Sequence, residues 1–280
     1  MSGKRIVIAS VLLAGSLPIC PASAAVGASD TPGAPDTYGE AVPAAERRPC
    51  PLVFGHGGYP GRPGATVKDR IRQPNHPRGL ADHRRWGADG VEADVQLTRH
   101  GTKAVMWHNT TTNGLTGPRR RITELRWSTG PGNLRSRRIS RGPYRGERVY
   151  TLRQWLDHAR RLGLIALLEI KGEAKRILRD PAHAARGWRE ISRPIRERQR
   201  LQRILVYSRD PWIQRRLAER HPDILRGSAV VWTDGVRWDE PPPFWVANVP
   251  RWEAVLAKRP YGVLTNYPKQ YRRWLTGECG

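Results

Sequence analysis

The stretch Gly90-Val91-Glu92-Ala93-Asp94-Val95-Gln96-Leu97 constrains the fold more than any other part of the chain. Residues two apart on a strand share a face, so Glu92 and Asp94 project to one side while Val91, Ala93 and Val95 face the other. Two carboxylates held this close raise each other's pKa unless a cation lies between them or water surrounds them. These eight residues alone fit two readings equally: a pair of hard oxygen ligands for a metal, or a solvated edge strand with an acidic face.

Neighbouring segments repeat a pattern in which an apolar strand ends on a chemically active side chain. Leu52-Val53-Phe54 leads to Gly55-His56-Gly57, and Ala104-Val105-Met106-Trp107 leads to His108. The nearly continuous apolar run from Leu164 carries Glu169 and Lys171 at its end, the pattern of a parallel strand buried on both faces. The turn after His56 is not a dinucleotide fingerprint, because Pro60 stands where the third glycine belongs. Further strands are expected at 204–207, 228–232, 244–248 and 261–265. Helices are expected at 78–86, from the Thr151 cap to about 162, and around 174–199, 211–220 and 250–258. Eight strands alternating with helices predict an α/β fold closed as a TIM (β/α)8 barrel, which normally occupies about 250 residues. Chemistry in such barrels sits at the C-terminal ends of the strands, where His56, Glu92, Asp94, His108, Glu169 and Lys171 all fall.

The ends of the chain carry different signals. Lys4-Arg5, an apolar run from Ile6 to Leu17 and the small-x-small site Ala22-Ser23-Ala24 read as a secretory signal too short to span a bilayer comfortably. Leu17-Pro18-Ile19 lacks the small residues expected before a lipidated Cys20. The expected organisation is a signal peptide at 1–24, a flexible Ala/Gly/Pro/Asp leader at 25–49, and a secreted, monomeric barrel domain at 50–280. Loss of Lys4 and Arg5 lowers the formal net charge from +24 only to +22. That charge predicts attraction to an anionic cell-wall polymer or membrane surface and points to no specific nucleic acid. A long basic insertion, 109–150, follows strand 3 and sets ten arginines against Glu124 and Glu147. It reads either as a lid over the mouth or as a solvated loop in an arginine-rich chain. Cys50 and Cys279 remain after export, and a disulfide between them at the N-terminal face of the barrel is permissible.

Three carboxylates, two histidines and a lysine at one mouth suit metal-assisted phosphodiester cleavage. The cation neutralises phosphoryl charge, one histidine takes a proton from the nucleophile, and the other protonates the leaving oxygen. At Gly55-His56-Gly57, Gly87-Ala88-Asp89-Gly90-Val91-Glu92-Ala93-Asp94-Val95, Trp107-His108-Asn109, Glu169-Ile170-Lys171 and Gly262-Val263-Leu264-Thr265-Asn266-Tyr267-Pro268, the chain resembles the glycerophosphodiester phosphodiesterase family. The resemblance implies that Glu92, Asp94 and Glu169 hold Ca2+ or Mg2+, that His56 and His108 are the acid-base pair, and that Lys171 contacts phosphate. It implies a small-molecule or lipid phosphodiester substrate, hence lipid metabolism, cleaved to glycerol 3-phosphate and an alcohol. The family usually has Arg after its first His, where this chain has Gly57, and Asp after its second, where this chain has Asn109. Its Pro-Glu-Asn-Thr stretch is replaced by Pro63-Gly64-Ala65-Thr66.

Two alternatives stand beside this reading. Phospholipase D and sphingomyelinase D enzymes share the barrel, the histidines and the Glu-x-Asp pair and form a cyclic phosphate, but their cysteine-bridged catalytic loop has no counterpart here. A non-catalytic, basic polyanion-binding barrel is the other, and retention of both histidines and all three carboxylates argues against it. His76, His83, His100, His158, His183 and His221 read as surface or packing residues.

Overall fold

All eight residues of the acidic strand are buried, and its place in the sheet decides between the two readings of its carboxylates. The computed structural model describes residues 50–57, 75–142, 144–234 and 245–279. The expected signal peptide, the leader and most of the glycine-rich turn lie outside them. Six parallel strands are described: β1 (Leu52–Gly55), β2 (Gly90–Leu97), β4 (Ile165–Ile170), β5 (Ile204–Tyr207), β6 (Val230–Trp232) and β7 (Gly262–Thr265), with β3 (Ala104–Met106) as an antiparallel companion of β2. They follow the order β5-β4-β2-β1-β7-β6, so β2 is flanked by β1 and β4 and is no edge. Arg226 bridges Val206 of β5 in the parallel sense, and the same segment continues into β6 beside β7, which draws the sheet round into an α/β barrel.

The alternation in each strand separates two cores. Val91, Ala93 and Val95 turn outward and pack with Trp155 and Leu156. Leu52, Phe54, Leu167, Leu205 and Leu264 fill the inside. Phe54 needs two glycines around it: a Cβ added at Gly90 would lie 2.5 Å from its ring and one at Gly262 would lie 2.7 Å away.

The helices are α1 (Arg78–Arg85), α2 (Leu152–Arg161), α3 (Lys175–Arg179), α4 (Ala184–Arg196), α5 (Pro211–Arg220), α6 (Val249–Leu256) and α7 (Pro268–Cys279). Thr151 caps α2 as expected, accepting from the Gln154 amide while the Gln154 side chain accepts from the Thr151 amide. The helix expected across 174–199 is divided, since Asp180 is extended and ends α3 before α4 begins.

Two expected strands differ from the structure. β3 runs antiparallel to β2, because the six residues between Leu97 and Ala104 are too few for a parallel crossover. In the strand expected at 244–248, Phe244 lies outside the described residues, and Val246–Asn248 forms a short 3-10 helix that runs into α6 with Pro250 in its first turn. The described residues therefore hold six parallel strands where eight are expected.

The segment 109–150 has little regular structure but its own core, in which Leu115, Ile122, Leu125, Leu134 and Val149 pack around Trp107. Cys50 and Cys279 are joined, with Cα atoms 6.0 Å apart, at the end of β1 opposite His56. Among the described residues, no helix is long and apolar enough to cross a membrane.

Candidate active site

Register brings the carboxylates together. Asp94 pairs with Glu169 across β2 and β4, and Glu169 pairs with Tyr207 across β4 and β5. Asp94, Glu169 and Tyr207 therefore share one level of the inward face, and Glu92 lies one inward step below Asp94 on β2, in register with Leu167. Glu92, Asp94 and Glu169 are 1%, 2% and 4% exposed, and an oxygen from each lies within 4.8 Å of the other two.

Each carboxylate has a defined support. The Gly57 backbone amide donates to Glu92 Oε2 at 3.0 Å. Asn75, itself buried, donates from Nδ2 to Asp94 Oδ2 at 2.9 Å. The Tyr207 hydroxyl donates to Glu169 Oε2 at 3.3 Å. Burial, followed by the charges of Glu92, Glu169 and Asp94, raises the Tyr207 pKa well above its ordinary value and keeps the phenol a donor.

Lys171 Nζ lies 3.2 Å from Asp94 Oδ1 and 3.2 Å from Glu169 Oε1. Burial is the largest single influence and pulls its pKa down, but the combined charges of Asp94, Glu169 and Glu92 hold it above the ordinary value. One ammonium offsets one of three buried negative charges, and Arg209 approaches Glu169 Oε2 only to 3.6 Å from the rim. A buried, oxygen-only set with negative charge in excess fits a hard divalent cation of the Ca2+ or Mg2+ type. Glu92, Asp94 and Glu169 are the side chains that could hold it.

The two histidines share one arrangement. His56 follows β1, its backbone amide donating to the Thr265 carbonyl, and its ring Nδ1 lies 2.7 Å from Asn266 Oδ1. His56 Nε2 is 3.8 Å from Glu92 Oε2, and the ring meets Trp232 edge to face with centroids 5.0 Å apart. His108 is delivered by β3 running back along β2, with the preceding Trp107 amide bonded to the Asp94 carbonyl at 3.0 Å. Its Nδ1 lies 2.5 Å from Asn109 Oδ1. An amide oxygen accepts only, so each Nδ1 carries the proton and each Nε2 carries the lone pair in the neutral ring.

All six expected residues thus lie at one end of the barrel, with Lys171 bound into the carboxylate cluster. Four supports are absent from the expected set: Asn75, Tyr207, Arg209 and Asn266. The alternation Leu205-Tyr207-Arg209 was the signal for two of them, since it continues the inward face of β5. Asn75 lies 19 residues from Asp94 with no strand or helix to fix its direction, and nothing in the sequence marks it.

Comparisons agree with this architecture. A protein of Silicibacter pomeroyi DSS-3 described as a glycerophosphoryl diester phosphodiesterase is similar in fold, at 18% identity and a TM-score of 0.58 over 83% of this chain and 95% of that one. A glycerophosphodiester phosphodiesterase-type protein from Galdieria sulphuraria gives 16% identity and a TM-score of 0.54 over 81% and 98%. No curated protein sequence matches the chain. The sequence profile of the glycerophosphoryl diester phosphodiesterase family matches residues 84–265, a span that holds Glu92, Asp94, His108, Glu169 and Lys171 and begins after His56. The chain therefore belongs to the glycerophosphoryl diester phosphodiesterase family and is a phosphoric diester hydrolase by class.

Proposed function

We propose that the protein hydrolyses a glycerophosphodiester to glycerol 3-phosphate and an alcohol, with His56 and His108 as the acid-base pair and a divalent cation held by Glu92, Asp94 and Glu169. The observation that carries this reading is the buried carboxylate cluster at the same barrel end as two histidines whose Nδ1 atoms both meet asparagine oxygens. The cation, when bound, neutralises charge on the phosphoryl oxygens. The rest is done by side chains. One Nε2 takes the proton from a glycerol hydroxyl next to the phosphorus as that hydroxyl attacks in line, and the other, protonated, gives its proton to the departing alkoxide. The cyclic phosphate so formed is opened by water with the two roles exchanged. Lys171 holds the carboxylates in place and adds positive charge beneath the phosphate.

His56→Ala and His108→Ala test the assignment. Each should lower turnover on the order of 100-fold or more, with thermal stability and cation affinity near wild type. A loss of less than about 3-fold in either variant would remove that histidine from the acid-base pair.

The setting is part of the proposal. The signal-like segment at 1–24 and the joined Cys50 and Cys279 support a secreted protein working in an oxidising compartment. The strongly basic chain supports substrate presented on an anionic polymer or membrane surface.

A further inference from the structure

His56 is followed by Gly57, which has no side chain to offer a phosphate, and Gly57 spends its amide on Glu92. Lys171 is occupied as well, between Asp94 and Glu169, with 16% of its side chain exposed. A phosphodiester entering the mouth would bring a negative charge to a site whose buried lysine is already committed. Among the described residues, the next cation on the inward face is Arg209, two residues beyond Tyr207. Its Nε lies 3.6 Å from Glu169 Oε2 while its side chain is 69% exposed. Burial is the largest influence on its pKa and acts downward, but Glu169, Tyr207, Glu92 and Asp94 together hold it above the ordinary value.

That geometry suits a clamp. The long contact to Glu169 is the one ion pair of Arg209 among the described residues, so the contact orients the guanidinium at the rim without using its fork of donors. The charges also balance. A divalent cation and Lys171 together offset the three carboxylates, which leaves Arg209, among the described residues, as a charge matched to the single negative charge of a phosphodiester. Asp210 does not compete for it, because that carboxylate caps α5 through the Trp212 and Ile213 amides and pairs with Lys175.

We propose that Arg209 binds the phosphodiester group of the substrate, providing from the end of β5 the bidentate contact that Gly57 cannot provide after β1. This rests on the phosphodiesterase reading and names a specificity residue within it. Arg209 contributes mainly to affinity, and its planar fork matters as well as its charge.

The test compares wild type with Arg209→Ala and Arg209→Lys in three measurements: steady-state kinetics on glycerophosphocholine, calorimetric binding of glycerol 3-phosphate, and calorimetric binding of Ca2+ and Mg2+. Arg209→Ala should raise KM and weaken glycerol 3-phosphate binding by about 10-fold or more, with kcat within about 3-fold, and Arg209→Lys should fall between. If Arg209 is only a counter-ion for Glu169, both variants will keep wild-type KM and glycerol 3-phosphate affinity while Arg209→Ala binds the cation more tightly. That result overturns the proposal. If wild type hydrolyses no glycerophosphodiester, the hydrolytic reading fails, yet the binding comparison still decides the role of Arg209. Glycerol 3-phosphate bound by wild type and lost in Arg209→Ala upholds the clamp, and equal or absent binding in both removes it.

Discussion

Asn266 Oδ1 meets His56 Nδ1 at 2.7 Å, and the backbone amide of the same Asn266 donates to the buried Asp234 at 2.7 Å. The carboxylate of Asp234 also accepts from Thr265 Oγ1 at 2.7 Å. A buried acid at the end of β6 thus fixes the residue that orients His56 from the end of β7.

A neutral partner on Nδ1 supports the imidazolium less than a carboxylate does. Asn266→Asp should therefore raise the His56 pKa, because a negative charge in contact favours the protonated ring. The limb of the pH-rate profile that His56 sets should move to higher pH, and proton NMR of the His56 ring should show the same shift. A profile and a ring titration that both stay in place would show that Asn266 does not govern His56.

Opposed groups shape stability between pH 3 and 6.5. Burial, partly relieved by hydrogen bonds from Asn266, Thr265 and Trp252, raises the Asp234 pKa to about 6. Its contribution is full below the ordinary carboxylate pKa and is lost as pH rises through about 6. His83 packs against β1 so closely that a Cβ at Gly55 would lie 1.7 Å from its Nδ1, and burial lowers its pKa to about 3. Its contribution is present above pH 6.5 and is lost as pH falls toward 3. Asp234→Asn removes the opposing slope, so denaturant midpoints should fall more steeply than wild type between pH 6.5 and 3. Parallel curves would mean that Asp234 titrates like an exposed carboxylate.

The Cys50–Cys279 bond closes a sequence separation of 229 residues. Reducing it should cost on the order of 3 to 5 kcal/mol in the chain-entropy model, with kcat little changed because the bond lies opposite the mouth. Titratable thiols at both Cys50 and Cys279 in the non-reduced protein would contradict the link.

Some arginines of 109–150 hold the loop rather than face a partner. Arg137 Nη1 donates to the Thr116 carbonyl at 2.8 Å, and Arg138 Nη1 donates to the Gly146 carbonyl at 2.7 Å. Arg119, Arg120 and Arg135 are exposed, and neutralising these three should weaken turnover on anionic vesicles at low salt while sparing a small soluble diester. Equal losses on both substrates, independent of ionic strength, would make the charge incidental. Arg137→Gln should instead lower the melting temperature.

The inward face of the site was legible where period-two alternation is unbroken, as in Glu92 and Asp94 on β2 and Glu169 on β4. The direction of β3 was legible too, in a connection too short for a parallel crossover, but its apolar composition resembles that of the parallel strands. The apolar run at 244–248 is too short for composition to separate strand from helix, and the Pro250 that opens α6 was the better guide. The core of 109–150 was hidden because Leu115, Ile122, Leu125 and Leu134 follow no regular period. Asn75 reaches the site from irregular backbone, where a side chain's direction depends on tertiary structure alone, whereas Asn266 continues the inward alternation of Gly262 and Leu264 on β7.

The proposed reaction is cleavage of a glycerophosphodiester with the carboxylate cluster loaded and both histidines present. Phosphorus-31 NMR of the protein incubated with glycerophosphocholine and lysophosphatidylcholine, with Ca2+ or Mg2+ and after EDTA treatment, decides whether it occurs. Glycerol 3-phosphate should form from glycerophosphocholine, cease to form after EDTA treatment and form again once the cation is restored. A cyclic lysophosphatidate as the end product, turnover that survives EDTA, or no turnover with any divalent cation would contradict it.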